Sequence, residues 1–447
     1  MNQKSTCNKT MLKWFIRRFD NRVQSRPSIV FGRYSDNNKT IPQVSCWTAA
    51  EALFREKKFR QSIEAFFHYL RDDHIKNVET MTSDSTFHFT LYQGSKVVRG
   101  VCDDHRILAE VTIARMSEPS IPVMRRLLEQ NFNLYYTRYT LDNDRIYMRF
   151  DSELKTANPN KLYYGLKELA IKADKQDDLL VEDFTMLKRV DVDHVNALPE
   201  EEVRIRLYYF RKFIDETLSR IDTLEKEKLA TAISYMLLAL GYRIDYLISP
   251  EGKLLQELER VIAIYFTHEE ISLQEKIHLM INGFKNLKSK SDEEVKKFLF
   301  RSVSTFSIVS PQPHKVIAER LNGILQNSQW YIDNKLPEMA QHIMEYGFAF
   351  CQYAYSLPKP LSRLFQLFME VLYPDYFTEF GFPEKLYDKG VFNKRAIEWV
   401  IDEINRSYKE KYPKLLFKKQ QLRYDDLTIF AQCFLREVVG LNFDIVK

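Results

Sequence analysis

Two short clusters in the sequence contain the residue types that bind zinc. Cys102 and His105 lie three positions apart in Cys-Asp-Asp-His, and His268 begins the sequence His-Glu-Glu. A structural zinc site needs four ligands, usually two closely spaced pairs, and no second Cys/His pair follows. The residue four positions after His268 is Ser272, where a zinc protease has its second histidine. We therefore interpret 102–105 as a β-turn and expect no metal site.

A third cluster, Asp191, Asp193 and His194, places three potential ligands within four residues. It lacks the glycine and the further carboxylates of a calcium-binding loop, so we interpret it as part of a solvated linker. Paired carboxylates and Ser-His-Asp groups cannot be placed in a common cleft from their spacing here. The sequence therefore predicts no catalytic residue and no cofactor.

Glycine is scarce, with 12 copies in 447 residues, and no two glycines lie within three positions of each other. This spacing excludes the GxGxxG and GxSxG motifs, and no glycine pair precedes Lys-Ser/Thr as in a P-loop. Few glycines also favour helices joined by short turns.

Hydrophobic periodicity predicts an α+β domain in the first half of the chain. Residues 46–72 have helical spacing, as a lone helix or a helical hairpin, and three segments between 86 and 114 alternate with a period of two. A helix near 119–132, with Ile121, Met124, Leu127 and Leu128 as its apolar stripe, precedes two more strands. A final helix begins at Asn158-Pro159. The predicted order is α-βββ-α-ββ-α, with helices on a five-stranded antiparallel sheet spanning 46–190.

The remainder, 198–447, has only helical patterns and predicts an all-α bundle or array, with a possible subdivision near 310. The aromatic run 346–373 would suit a ligand or peptide groove, but aromatic residues at helical spacing are more often core. The longest uncharged run, 229–242, is too short to span a bilayer, so we expect no transmembrane segment.

Residues 1–45 form a basic leader that we expect to be partly extended or a short amphipathic helix. Residues 1–40 contain nine Lys or Arg and two Asp. The positive excess of this segment is larger than the net charge of the whole chain, which is +5, so the remaining residues are slightly acidic. The segment 11–19 is basic and amphipathic. It could touch an anionic surface, although a helix docked on the body is favoured.

The segment 135–150 predicts a hairpin with two different faces. A loop at Asp142-Asn143 would pair Tyr139, Thr137 and Tyr135 with Ile146, Met148 and Phe150 on the core side. The opposite face would then carry the candidate protein-binding residues, which are Tyr136, Arg138, Arg145, Tyr147 and Arg149.

The element order resembles that of type III secretion chaperones and of the related YbjN-like proteins. The closest local match is "VMRRLLEQNFNLYYTRYTLDNDRIYMRFD" followed by "NPNKLYYGLKELAIKADKQDDLL", within residues 46–186. The resemblance implies a cytoplasmic protein that binds other polypeptides, often as a homodimer, and it supplies no catalytic residues. The five scattered cysteines are consistent with free thiols in a reducing cytoplasm.

We therefore expect a non-enzymatic protein-interaction or chaperone-like protein that binds an unidentified protein through its sheet face or a helical groove. Two alternatives stay open. The basic leader and the Arg/Tyr hairpin would also suit a nucleic-acid-associated protein, although the slightly acidic body disfavours nucleic acid. An enzyme with an unrecognised site in the helical domain is the second alternative.

Overall fold

The structure is a computed structural model, and it describes residues 26–27, 29–83, 86–190, 194–268 and 271–445. Three predictions fall outside these residues in whole or in part. They concern the amphipathic segment 11–19, the carboxylates Asp191 and Asp193, and the two glutamates that follow His268.

The described part of the first half contains a helical hairpin, six strands and two further helices. These elements are α1 (Ile41–Arg55), α2 (Phe59–Leu70), β1 (Val78–Thr82), β2 (Phe87–Gly94), β3 (Lys96–Cys102), β4 (Arg106–Arg115), α3 (Ile121–Asn131), β5 (Arg138–Asp142), β6 (Arg145–Glu153) and α4 (Pro159–Asp183). Asn158 caps α4, because its side-chain oxygen accepts a hydrogen bond from the Lys161 N–H. The helix therefore begins where Asn-Pro predicted.

The strands form one antiparallel sheet in the order β1-β2-β3-β4-β6-β5, and β9 (Val303–Ser304) pairs with the end of β2. The α+β class is confirmed, but the prediction of five strands was too low. Only Val78 of β1 is buried, so this strand has no alternating pattern to detect. Because β9 has two residues, it is too short for any period.

One face of the sheet is covered by α2 and α4, and these elements share a hydrophobic core. Phe67 of α2 packs on Phe89 of β2 with ring centroids 4.3 Å apart. Gly165 of α4 lies over Phe150 of β6, where a Cβ would come within 2.3 Å of the ring. The glycine therefore lets the helix approach the sheet closely.

In the described part of the second half, helices dominate. These elements are β7 (Asn196–Ala197), α5 (Glu200–Asp222), α6 (Ala230–Arg243), α7 (Gly252–Phe266), α8 (Leu273–Ser289), α9 (Asp292–Lys296), β8 (Phe300–Arg301), α10 (His314–Asp333), α11 (Pro337–Ala354), α12 (Lys359–Leu372), α13 (Pro374–Glu379), β10 (Tyr387–Asp388), β11 (Val391–Phe392), α14 (Lys394–Ser407) and α15 (Leu427–Val439). The expectation of helices alone was wrong in detail, because β7 pairs with β8 and β10 with β11. None of the helices within the described ranges has the length and apolar character needed to cross a membrane.

A π-helical turn, Ile244–Ile248, follows α6 and ends at Ser249 with φ +49°. A π turn disturbs the regular i to i−4 hydrogen bonding of a helix, and its carbonyls become available to other partners. The Tyr246 carbonyl accepts from the Gly32 N–H at 2.8 Å, and the Leu247 carbonyl accepts from the Tyr376 hydroxyl. This turn therefore connects distant parts of the chain.

The two halves are joined where the segment after β9 enters the sheet domain. The Phe306 side chain is fully buried among residues of the sheet core, and its ring meets Tyr163 of α4 edge-on at 5.6 Å. The buried Gln93 side chain of β2 accepts from the N–H groups of Thr305 and Phe306 at 3.1 and 2.9 Å. It also donates to the Phe306 carbonyl at 3.2 Å.

Residues 29–39, which we call the strap, lie against the helical half and then reach the sheet domain. Phe31 contacts several aromatic rings of that half, including Phe377 at 5.2 Å. Arg33 binds Asp245 through two nitrogens at 3.0 and 2.8 Å and Glu259 at 2.9 Å, and its guanidinium lies 4.0 Å from the Tyr353 ring centre. The charge of Arg33, which belongs to the predicted basic leader, is therefore neutralised by carboxylates of the helical half.

We expect Phe306→Ala to lower the free energy of unfolding by about 3–5 kcal/mol, because it removes a buried ring and leaves a cavity. Urea denaturation followed by tryptophan fluorescence measures this change. Ile308→Ala is the matched control, since Ile308 is 41% exposed and should give a much smaller change. Equal losses for the two variants would contradict the role assigned to Phe306.

We expect Arg33→Met to destabilise the protein by about 3–5 kcal/mol, because Asp245 would stay buried without its cation. Adding Asp245→Asn to this variant should recover part of the loss, since no charge then remains buried at that position. The control is Arg204→Met, which removes an exposed pair with Glu201 and should leave the urea midpoint unchanged. If Arg33→Met were as stable as the wild type, the strap would contribute little to the free energy of unfolding.

Candidate protein-binding surface

Helix α3 has an apolar side that faces solvent. Val123 and Leu127 point into the sheet core, whereas Ile121, Leu128 and Phe132 are 83%, 62% and 92% exposed. Positions 121, 128 and 132 are seven and four residues apart, so their side chains lie on one helix face. The prediction that Ile121 and Leu128 face the core was wrong. Helix α3 has apolar residues on two sides, and the side that contains Val123 is the one that packs on the sheet.

Arg125 lies on the same exposed face, between Ile121 and Leu128. Neither Arg125 nor its neighbour Arg126 has a carboxylate within 4 Å in the part of the chain that the structure describes. Glu129 is the exposed acidic residue at the border of this face. The face is thus apolar with an available cation in its middle.

The turn that follows α3 presents two tyrosines in a fixed backbone conformation. The Glu168 carboxylate of α4 accepts from the N–H groups of Tyr135 and Tyr136, at 2.9 and 3.1 Å, and from the Thr137 hydroxyl at 2.9 Å. The Tyr135 side chain is 94% exposed although its backbone is held this way. We call Ile121, Arg125, Leu128, Phe132 and Tyr135 the α3 surface.

The β5–β6 hairpin has a two-residue loop, Asn143-Asp144, with Asn143 at φ +51°, a conformation that asparagine tolerates. Tyr139 pairs with Met148, so the predicted pairing of Tyr139 with Ile146 was wrong by two residues. A shift of two keeps every side chain on its predicted face. Tyr139, Ile146, Met148 and Phe150 are accordingly buried on the core side.

The structure places four of the five predicted site residues on the open face of this hairpin. They are Arg138, Arg145, Tyr147 and Arg149, while Tyr136 lies in the bend before β5 and is 41% exposed.

Two of the three hairpin arginines already have carboxylate partners. The Arg138 guanidinium lies 2.5 Å from Asp151, and Arg149 Nε donates to Glu110 at 2.5 Å. One row across the sheet runs Arg99, Glu110, Arg149, Arg138 and so contains both charges. This face therefore has less free positive charge than its composition indicates.

The Cys102–His105 cluster has a structural role. Asp103 accepts from the N–H groups of His105 and Arg106, both at 2.8 Å, and these bonds lower the pKa of Asp103. Burial raises the pKa of the Cys102 thiol to about 11, so it is an unreactive core thiol. Within the described ranges, no three His, Cys, Asp or Glu side chains are grouped closely enough to hold a metal ion.

The aromatic run 346–373 contributes to the core of the helical half. The rings of Phe348, Phe365 and Phe368 are fully buried, and the centroids of Phe348 and Phe368 are 4.1 Å apart. Core packing thus accounts for these residues, as the helical spacing favoured.

We expect Glu168→Ala to loosen the turn at 135–137, because three donors lose their acceptor. Hydrogen exchange should become faster in this turn while the sheet core stays protected, with a loss of about 1–2 kcal/mol in global stability. Glu129→Ala is the control, because Glu129 is exposed on the neighbouring helix. Unchanged exchange at 135–137 would show that Glu168 does not fix the turn.

No known protein family matches this chain, and comparisons with curated proteins and with solved structures also give no match.

Proposed function

We propose that this protein is a non-enzymatic interaction protein whose α3 surface binds an acidic amphipathic segment of another polypeptide. The observation that carries this proposal is the exposure of Ile121, Leu128, Phe132 and Tyr135, between 62% and 94%, on one helix face and its following turn. Burying an exposed Leu or Phe side chain contributes about 1.5–3 kcal/mol each. A partner that covers several of them would therefore gain substantial affinity.

The charge of the surface indicates the chemistry of the partner. Arg125 and Arg126 have no carboxylate partner among the described residues, and they flank apolar side chains. A partner with carboxylates beside its own apolar residues would satisfy both features. This arrangement favours an acidic amphipathic segment over a neutral apolar one.

The edge of the sheet favours a helical partner over an added strand. β5 is the last strand of the sheet, but its Tyr139 N–H already donates to the Asn131 side chain at the end of α3, at 2.8 Å. Because this N–H already has an acceptor, β5 is a poorer template for pairing with an added strand. Packing of an amphipathic helix along α3, with anchors at helical spacing, is the alternative recognition mode.

The resemblance of residues 46–186 to secretion chaperones and YbjN-like proteins points independently to polypeptide binding. We also propose a reducing cytoplasmic location, consistent with the free thiols of Cys46, Cys102, Cys351 and Cys433. The ion pairs of Arg138 and Arg149 weigh against the hairpin as a nucleic-acid reader.

The test begins with a photo-cross-linking amino acid at position 128 or 132 in the native host. We expect cross-links to one polypeptide from these positions and none to it from position 330, where Trp330 is 57% exposed on α10. The purified partner should then bind the intact protein, and the affinity should fall about tenfold or more for Leu128→Gln and for Phe132→Gln.

Arg125→Glu should weaken binding more than Arg125→Met, because only the first variant repels an acidic partner. Trp330→Gln is the control that should bind with wild-type affinity. Wild-type affinity in all α3-surface variants would refute the proposal. Cross-links to a second copy of this chain, or to nucleic acid, would replace the proposed partner with that one.

A further inference from the structure

Residues 29–35 of the strap lie in a groove of the helical half in the way that a bound peptide would. They form neither helix nor strand. Within the described ranges their backbone makes one hydrogen bond to another backbone group, from the Gly32 N–H to the Tyr246 carbonyl at 2.8 Å. Side chains make most of the other specific contacts, so the groove recognises the sequence of this segment more than its backbone.

The Phe31 ring fills a pocket of aromatic rings. It lies 5.2 Å from Phe377 and 5.9 Å from Phe380, in both cases edge-on. The rings of the pocket also contact each other, with Tyr376 4.8 Å from Phe380 and Phe377 5.1 Å from Phe382. Because these contacts do not involve the strap, we expect the pocket to keep its shape when Phe31 leaves it.

The next two positions of the strap accept only particular residues. Gly32 has φ +69°, and a Cβ at this position would lie 2.5 Å from the Tyr246 ring. The Arg33 guanidinium binds both Asp245, which is buried, and Glu259. The groove therefore fits an aromatic residue, a glycine and an arginine in that order, and its charge is complementary to the arginine.

The contact between strap and groove leaves buried polar atoms without partners. Oδ1 of Asn38 in the strap accepts no hydrogen bond, and neither amide atom of Gln352 in α11 makes one, although Gln352 is only 9% exposed. Gln352 precedes Tyr353, whose ring contacts the Arg33 guanidinium. Three of the six buried side-chain atoms without a partner in the described chain therefore belong to these two residues. Each unpaired atom destabilises the closed state, so the strap is not an optimal occupant.

We propose that this groove is a second polypeptide-binding site, which the strap keeps closed as an autoinhibitory segment. Its ligand is an extended segment of a partner polypeptide, with an aromatic residue, glycine and arginine in the order of Phe31, Gly32 and Arg33. The ligand must supply a cation, because an open groove would leave Asp245 buried without a counter-charge. The strap is therefore released by displacement and not by opening alone. The site is separate from the α3 surface, which lies on the sheet domain.

A fluorescent peptide of residues 29–39 tests the site by fluorescence anisotropy with the full chain. The groove is vacated by combining Phe31→Ala and Arg33→Met, which change the strap and leave the walls of the groove intact. We expect saturable binding to this double variant and binding about tenfold weaker or less to the wild type, whose own strap competes. Peptides with Gly32→Ala or Arg33→Met should bind the double variant about tenfold more weakly than the unchanged peptide.

Circular dichroism shows whether the double variant is folded. If it is not, Phe31→Ala alone keeps Arg33 on its carboxylates and should still bind the peptide more tightly than the wild type does. Trp330→Gln is the control that should behave as the wild type, because Trp330 is exposed on α10. Absence of saturable binding to the folded strap variants, or equal binding of the Arg33→Met peptide, would overturn the proposal.

The unpaired amide provides a second test, in which the sign of the change is diagnostic. Gln352→Leu should raise the melting temperature, because it removes a buried polar group that has no partner. Gln341→Leu is the matched control in the same helix, since Gln341 donates to the Thr428 hydroxyl at 2.8 Å and its replacement should lower the melting temperature. A lower melting temperature for Gln352→Leu as well would mean that the closed strap is well satisfied, and the autoinhibitory role would be rejected.

Discussion

The Phe306 ring belongs by sequence to the helical half of the chain and by packing to the core of the sheet domain. The buried Gln93 amide satisfies the backbone around it, and polar groups this deep must be paired to be tolerated. The ring contacts Tyr163 of α4, whose hydroxyl donates to Asp36 of the strap at 2.6 Å. One inserted side chain thus connects the second half, helix α4 on the sheet and the strap through a continuous set of contacts.

The α3 surface also depends on helix α4. Leu162, Leu166 and other apolar residues of α4 hold the sheet core, while Glu168 of α4 fixes the turn that exposes Tyr135. The exposed rings are therefore displayed from a backbone that is anchored to the interior. Such preorganisation lowers the entropy cost of binding, because the turn is already ordered before a partner arrives.

The sequence predicted the long helices and strands with clear periodicity well, and it predicted the tertiary contacts poorly. The Asn158-Pro159 cap and the faces of the β5–β6 hairpin followed from local rules, because capping and alternation are properties of neighbouring residues. The two-residue strand β9 and the partner of Arg33 depend on residues more than 200 positions away, which no local pattern encodes. The outward side of α3 was misread because apolar residues at 121, 123, 127 and 128 fit either face, and only the packed sheet decides between them.

The strap also constrains the order in which the protein can form during synthesis. Arg33 and Phe31 leave the ribosome early, yet Asp245 follows Arg33 by 212 residues, and Phe377, which contacts the Phe31 ring, lies further along the chain. At a translation rate of about 5–20 residues per second, the first of these partners is made roughly 10–40 s after the strap. Until then an arginine and an aromatic ring meant for the interior remain exposed on the nascent chain. The strap, which contacts both halves of the folded protein, is thus accessible to a ribosome-associated chaperone during much of the synthesis of the chain.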